Sequence, residues 1–315
     1  MKLTNLTKKD FEKILSNYEI GDYKSHKYIF TGGNTVYKLI TFKGNFLLKV
    51  YETASLGFVN YQIELMEFLK KTNVSTPPIM NTKNGRGLFI YHKKRMAIQK
   101  FVNGIEVQYP NENLAEDMGR KYGIMNKVLF NFKKRVTKKE AEYPDRLVKW
   151  NLRFFGGFDL QKESKLLFQE IQRLNKKKLR KSLIHGDLCE GNFLVEKNKV
   201  SAIIDWDDVY ETYLVYELAT PIAHNFITLK KINKELIRVF LKEYQKYIRL
   251  NSEEKKALYF FVKHRELSAG SWCVDQIKKH PDRKDELMKW TNTCIKKYKL
   301  FSNLSLAEFL ELLNS

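Results

Sequence analysis

The chain has 315 residues, of which 43 % are hydrophobic and 30 % are charged. This balance is typical of a folded globular protein and excludes a disordered one, and the length allows one large or two medium domains. The formal net charge is +21. Because the lysines are scattered along the whole chain instead of forming one stripe, we expect a solvated basic surface and no nucleic-acid partner.

The sequence shows no sign of export or of membrane insertion. Its first residues, MKLTNLTKKDFEKIL, contain no apolar run like that of a signal peptide. No stretch of about 18 apolar residues occurs anywhere in the chain. The three cysteines (Cys189, Cys273 and Cys294) have no close-pair spacing, which argues against a thiolate zinc cluster and a disulfide framework. We therefore expect a cytoplasmic protein with no membrane partner.

The first hundred residues predict a small β lobe with one main helix. Runs of β-branched and aromatic residues are separated by the glycine turns TGGN at 31–34 and KGN at 43–45. The predicted elements are helices over 4–18 and 58–71 and strands over 23–30, 35–42, 45–51, 87–93 and 95–102.

Amphipathic helical patterns dominate after Asn103 and Gly104. We therefore predict an α+β protein with an antiparallel β lobe over 1–102 and a mostly helical lobe over 103–315. Helices are predicted over 112–130, 161–179, 232–248, 252–278 and 283–300.

One stretch, SLIHGDLCEGNFLVEKNKVSAIIDWDDV at 182–209, interrupts the helices and carries many polar groups beside two short strands. With a turn at Asn198–Lys199, Asn192 and Asp205 lie at equal distances from the turn and are expected to face each other at the open end of the hairpin. Amide and carboxylate oxygens suit Mg²⁺. Asp187, five residues upstream of Asn192, is a further carboxylate that can accept a proton from an attacking hydroxyl.

The motif HGDLCEGN, followed after the hairpin by IIDW, resembles the catalytic and metal-binding loops of protein-kinase-like phosphotransferases. The HGD and IDW variants are similar to those of the aminoglycoside phosphotransferase, choline kinase and homoserine kinase family, which includes spore-coat-kinase-like members. The resemblance covers most of the chain. It implies a bilobal kinase-like fold and transfer of the γ-phosphoryl group of ATP or GTP to a small-molecule hydroxyl, with Mg²⁺ as cofactor.

The resemblance implies roles for the residues of the two loops. Asp187 matches the base that orients the acceptor hydroxyl, and Asn192 and Asp205 match the Mg²⁺ ligands. If the chain stays extended after Asp205, Asp207, two positions on, points to the same side and is expected to aid the metal or the substrate. His185 matches a histidine that steadies the catalytic loop.

The resemblance also implies a nucleotide site in the β lobe. Lys49, in FLLKVY, is expected to neutralise the α- and β-phosphates, with a helix glutamate as its partner. Glu64 is preferred over Glu67 for that role. The phosphates are expected under the TGGN turn and adenine or guanine at the linker, which adds Gly32, Gly33, Asn34, Gln99, Lys100 and Phe101 as nucleotide-binding residues.

The acceptor is expected to bind in the helical lobe, at segments 140–160 and 259–277. These segments mix acids with bases, and together with the net charge of +21 this argues against a polycationic antibiotic. A neutral or zwitterionic small alcohol, such as an amino alcohol, a sugar or a homoserine-like compound, is expected instead. The candidate lining residues are Trp150, Arg153, Arg265, Glu266 and Trp272.

Three alternatives stay open at this point. The chain could be a kinase-fold protein with a structural or assembly role, as in spore-coat-like members, although intact Lys49 and Asp187 argue against a loss of nucleotide chemistry. It could be an aminoglycoside antibiotic kinase. It could also be a protein kinase, although it has neither a DFG nor an APE motif.

Overall fold

The computed structural model describes residues 4–29, 33–137 and 143–313. It consists of two compact units. The first unit comprises Met1–Gly104 together with Ser201–Asp207, and the second comprises Ile105–Val200 and Asp208–Ser315.

The first unit is built on an antiparallel sheet with strand order β1-β2-β3-β6-β4, in which β5 also pairs with β6. A short turn connects β2 to β3, and Lys49 of β3 lies opposite Val36 on one side and Ala97 on the other. The strands are β1 (Tyr23–Ile29), β2 (Thr35–Thr41), β3 (Gly44–Tyr51), β4 (Ile79–Met80), β5 (Phe89–Tyr91) and β6 (Lys94–Lys100).

Two helices accompany this sheet, α1 (Lys8–Leu15) and α2 (Leu56–Leu69). A capping box between Thr7 and Asp10 starts α1 at Lys8, which is why the helix is shorter than the predicted span 4–18. The helix contributes to an apolar core against one face of the strands. Its fully buried members are Phe11, Ile14, Leu39, Leu48, Val50, Met96 and Ile98.

The second unit is mostly helical. Two pairs of short strands, β7 with β8 and β9 with β12, lie among its helices, and β10 and the start of β11 form a hairpin. The strands are β7 (Phe154–Phe155), β8 (Phe158–Asp159), β9 (Lys181–Ile184), β10 (Phe193–Glu196), β11 (Lys199–Ile203) and β12 (Tyr210–Tyr213). The longer helices are α3 (Glu112–Asn131), α4 (Leu160–Gln172), α5 (Lys234–Gln245), α6 (Ser252–Lys279), α7 (Lys284–Ser302) and α8 (Leu306–Leu312).

The predicted fold class is confirmed, with an antiparallel sheet in the first unit and a mostly helical second unit. The short strands β4, β7, β8, β9 and β12, helix α8 and the helical turns over 214–226 were not predicted. These segments are short, so their hydrophobic periodicity is too brief to identify them. None of the helices in the described ranges is both long and apolar enough to span a membrane.

The predicted hairpin turn is wrong by one residue. Lys197 and Asn198 form the turn, with φ angles of +50° and +61°, as a two-residue hairpin loop requires. The shift removes the symmetry about the turn from which Asn192 and Asp205 were predicted to face each other. Asp205 also has a φ of +59°, so the chain leaves the extended conformation there.

Candidate active site

The turn that presents Asp187 is fixed by its backbone. Gly186 has a φ of +86°, and a Cβ atom added there would lie 2.5 Å from the carbonyl oxygen of Asp208. The buried Glu217 carboxylate accepts the backbone N–H of His185 at 2.5 Å and that of Gly186 at 3.1 Å. The backbone N–H of Asp187 donates to His185 Nδ1 at 3.4 Å. Hydrogen bonds therefore fix the backbone on both sides of Gly186.

Both carboxylate oxygens of Asp187 are oriented by hydrogen bonds. Arg265 Nη2 donates to Oδ1 at 2.7 Å, and Asn192 Nδ2 donates to Oδ2 at 2.7 Å. The guanidinium of Arg265 is largely buried, whereas the Asp187 side chain is about one-third exposed. Asp187 is thus a rigidly held carboxylate that remains accessible to a small molecule.

The side-chain nitrogen of Asn192 is hydrogen-bonded within the catalytic loop. Its amide nitrogen donates both to the Asp187 carboxylate and to the Asp187 carbonyl oxygen at 2.7 Å. This leaves the amide oxygen as the atom that could bind a cation. Asp205 supplies a half-exposed carboxylate in the first unit. Oxygen donors of this kind fit Mg²⁺.

Lys49 forms its ion pairs with the segment that follows β11. Its Nζ donates to Asp207 Oδ1 at 2.5 Å and lies 3.6 Å from Asp205 Oδ1. Burial disfavours the charged ammonium, but the nearby carboxylates of Asp207 and Asp205 outweigh it, so the pKa of Lys49 is raised. The lysine therefore carries a positive charge at neutral pH.

Asp207 is held in turn by two amide side chains. Gln62 Nε2, on α2, donates to Asp207 Oδ1 and to the carbonyl oxygen of Trp206, each at 2.8 Å. Asn34 Nδ2 donates to Asp207 Oδ2 at 2.7 Å. Glu64, two positions after the buried Gln62, is exposed on α2. Its pairing with Lys49 stays a prediction, as does that of Glu67.

The other predicted nucleotide-binding residues belong to the TGGN turn (Gly32 and Gly33) and to the linker (Gln99, Lys100 and Phe101). Gly32 lies outside the described residues, and Gly33 and Asn34 directly precede β2. Gln99 and Lys100 end β6. The backbone N–H groups of Lys100 and Phe101 already donate to the carbonyls of Pro78 and Asn45. An adenine-binding linker at 99–101 stays a prediction, and it would use other backbone groups.

The predicted acceptor residues differ in exposure. Trp150 is buried, donates to Ser164 Oγ and packs against Gly270 of α6. Arg153 is exposed and pairs with Asp159, and Trp272 is 54 % exposed. Arg265 and Glu266 are buried, and Arg265 contacts Asp187 directly. An acceptor role for any of the five candidates stays a prediction.

Several polar residues of the site were not predicted. Gln62 gave no signal because one glutamine in a helix has no diagnostic spacing. Glu190 lies within the recognised motif, and a glutamate between Asp187 and Asn192 could have been noticed. His224, whose Nδ1 lies 3.8 Å from Glu190 Oε2, and its neighbour Asn225 come from the unpredicted turns over 214–226.

Comparison with known proteins shows which family and which relatives this chain is similar to. A family model described as the phosphotransferase enzyme family matches residues 31–246. Homoserine kinase of Neisseria meningitidis serogroup B (strain ATCC BAA-335 / MC58) is 24 % identical over 312 residues, covering 96 % of this chain and 98 % of the relative. Homoserine kinase of Rhodopseudomonas palustris (strain BisA53) is 26 % identical over 262 residues, covering 81 % of this chain and 80 % of the relative.

Solved structures show the same fold. Amicoumacin kinase hAmiN, in complex with AMP-PNP, Ca²⁺ and Ami, matches with a TM-score of 0.73 at 15 % identity, covering 94 % of this chain and 95 % of that one. A microcompartment-associated aminopropanol kinase matches with a TM-score of 0.67 at 16 % identity, covering 96 % of this chain and 98 % of that one.

Proposed function

Because the chain belongs to the phosphotransferase enzyme family and is a phosphotransferase that acts on a hydroxyl acceptor, we propose that it phosphorylates a small amino alcohol of the homoserine type. ATP is the proposed donor, with GTP as the alternative, and Mg²⁺ the proposed cofactor. The observation that carries the proposal is the Asp187 carboxylate, whose two oxygens are oriented by Arg265 and Asn192 while the group stays accessible.

Asp187 acts as the base in this proposal. The acceptor hydroxyl donates a hydrogen bond to the carboxylate, which retains free lone pairs beside its bonds to Arg265 and Asn192. The hydroxyl oxygen attacks the γ-phosphorus, the bond from that phosphorus to the bridging oxygen of the donor breaks, and the hydroxyl proton passes to Asp187. The products are a phosphate ester and the nucleoside diphosphate.

Asn192 and Asp205 are the residues proposed to hold Mg²⁺, through the amide oxygen and the carboxylate. When bound, the ion would neutralise charge on the transferred phosphoryl group. Lys49 is proposed to neutralise the remaining phosphate charge. Its raised pKa keeps the ammonium charged, and Asp207 holds it while Gln62 and Asn34 fix Asp207.

The choice of a homoserine-type acceptor is supported by relatives named homoserine kinase that align with most of this chain. The net charge of +21 supports it as well, because the field of the protein repels a polycationic antibiotic. We also propose a cytoplasmic location, supported by Cys189, Cys273 and Cys294, which are free thiols.

Two assays with matched variants test the proposal. First, ATP and GTP are titrated in a thermal-shift assay with and without Mg²⁺, on wild type and Asp205→Ala; we expect a Mg²⁺-dependent rise in Tm that the variant loses. Second, nucleoside diphosphate release is measured with homoserine, aminopropanol and sugars. Asp187→Asn should abolish acceptor-dependent release, and Asp285→Asn, at an exposed position on α7, should retain it.

A folded wild-type protein that gives no shift with either nucleotide would contradict the proposal. It would instead favour a structural or assembly role.

A further inference from the structure

Four polar side chains form a largely buried cluster in the second unit, where Glu190 interacts electrostatically with both Asp187 and Glu266. We call Glu190, His224, Asn225 and Glu266 the amine cluster. Glu190 lies three residues after Asp187 in the catalytic loop, and Glu266 directly follows the arginine that binds Asp187. His224 and Asn225 lie in the helical turns over 214–226. The cluster thus joins three distant parts of the sequence beside the base.

Direct contacts, in part through Gln108, connect three members of the cluster. Glu190 Oε2 lies 3.8 Å from His224 Nδ1, and Glu190 Oε1 accepts from Gln108 Nε2 at 3.3 Å. Asn225 Nδ2 donates to the carbonyl oxygen of the same Gln108 at 2.8 Å. Gln108 therefore holds Glu190 and Asn225 together and fixes which atoms of each remain for another partner.

Each member of the cluster has one buried polar atom without a hydrogen-bond partner within the described part of the chain. These atoms are Glu190 Oε2, His224 Nε2, Asn225 Oδ1 and Glu266 Oε1. The Asn225 and Glu266 side chains are each only about 1 % exposed. Buried polar atoms are normally paired, so a group of four unsatisfied atoms indicates a missing partner. Asn225 Oδ1 can only accept, and the Glu190 and Glu266 oxygens accept when their carboxyl groups are ionised. A positively charged donor fits all three oxygens, because it also favours the ionised carboxylates.

The neighbouring cations, Lys297 and Arg265, are hydrogen-bonded to other groups. Lys297 of α7 donates to the carbonyl oxygens of Ala223 and His224, and Arg265 is bound to Asp187. Burial raises the pKa of Glu266 to about 8 even though Lys297 and Arg265 oppose the shift. The two cations are thus close enough to act on the Glu266 carboxyl group, but within the described residues neither donates a hydrogen bond to its Oε1.

We propose that the amine cluster binds the ammonium group of the acceptor while the acceptor hydroxyl lies at Asp187. An ammonium group has three N–H donors and one positive charge, which matches the three acceptor oxygens and the two glutamates. An anion that has no ammonium group would meet these oxygens unfavourably. The inference rests on the proposed function and names the part of the acceptor that this chain selects.

Homoserine and 4-hydroxybutanoate test the proposal, because they differ only in the ammonium group. With wild type, we expect kcat/KM to favour homoserine by at least roughly 100-fold. Glu266→Gln and Asn225→Ala should each reduce this preference by roughly 10- to 100-fold, through a higher KM for homoserine, with little change for 4-hydroxybutanoate. Glu116→Gln, an exposed substitution on α3, should keep the wild-type preference.

Each outcome decides the question. Equal kcat/KM for the two alcohols in wild type, or a preference unchanged in both variants, overturns the amine cluster while the proposed function stands; the cluster then holds ordered water only. If no alcohol is phosphorylated, the proposed function fails, and calorimetric titration of homoserine decides the inference. If wild type binds homoserine and Glu266→Gln or Asn225→Ala does not, the result supports the amine cluster. If wild type does not bind homoserine, or both variants still bind it, the result overturns the amine cluster. If one variant does not fold, wild type and the other variant decide.

Discussion

Replacing Glu217 should destabilise the protein through the backbone of the catalytic loop. The Glu217 carboxylate is fully buried and accepts the N–H groups of His185 and Gly186. Alanine leaves two buried donors unpaired, and each costs about 1–3 kcal/mol. Glutamine keeps one acceptor oxygen and leaves one donor unpaired. We therefore expect Glu217→Ala to cost roughly 3–5 kcal/mol and Glu217→Gln about 1–2 kcal/mol.

The smaller figure for glutamine has a second physical reason. Burial raises the pKa of Glu217, while His185 and the two N–H groups oppose the shift. The ionised carboxylate thus carries a burial cost that the neutral amide does not have, which offsets part of the lost hydrogen bond.

Urea unfolding at pH 7, followed by far-UV circular dichroism, measures these costs. Glu116→Ala and Glu116→Gln, at an exposed site on α3, are the matched controls and should change stability by less than about 0.5 kcal/mol. The reasoning is refuted if Glu217→Ala is no more destabilising than Glu116→Ala, or if alanine and glutamine at 217 are equivalent.

Three further predictions concern other parts of the site. The pKa of Glu266 is raised from 4.5 to about 8, so the wild-type protein loses stability as the pH rises between these values; the stability advantage of Glu266→Gln in urea unfolding should grow from pH 5 to pH 8, to roughly 4 kcal/mol. Gly186→Ala should lower kcat at least about 10-fold, measured by product formation, because its Cβ would lie 2.5 Å from the Asp208 carbonyl and φ is +86°. Lys49→Met should raise the Kd for ATP at least about 10-fold by calorimetry, whereas a wild-type Kd would exclude a phosphate contact.

The sequence allowed the prediction of the elements with strong local signals. The residue runs between glycine turns placed Lys49 in a strand of the β lobe, and the motif at 182–209 placed Asp187 near Asn192. Such predictions succeed because turn glycines, capping residues and hydrophobic periods act over a few residues.

The partners of those residues could not be predicted, because they depend on the tertiary fold. Arg265 reaches Asp187 from 78 positions away, and Asp207 reaches Lys49 from 158 positions away. The prediction for Asp207 assumed an extended chain, but Asp205 adopts a positive φ. Tertiary contacts are what favour a left-handed conformation in a residue other than glycine, so local propensity does not predict the positive φ of Asp205.

The most direct test of the account follows phosphorus itself. Wild type and Asp187→Asn are incubated with ATP, Mg²⁺ and homoserine, and ³¹P NMR is recorded over time. The account predicts that wild type converts the γ-phosphorus signal into that of a phosphate ester of the acceptor as ADP appears, and that Asp187→Asn does not. Formation of inorganic phosphate alone, or equal ester formation by the two proteins, would contradict it.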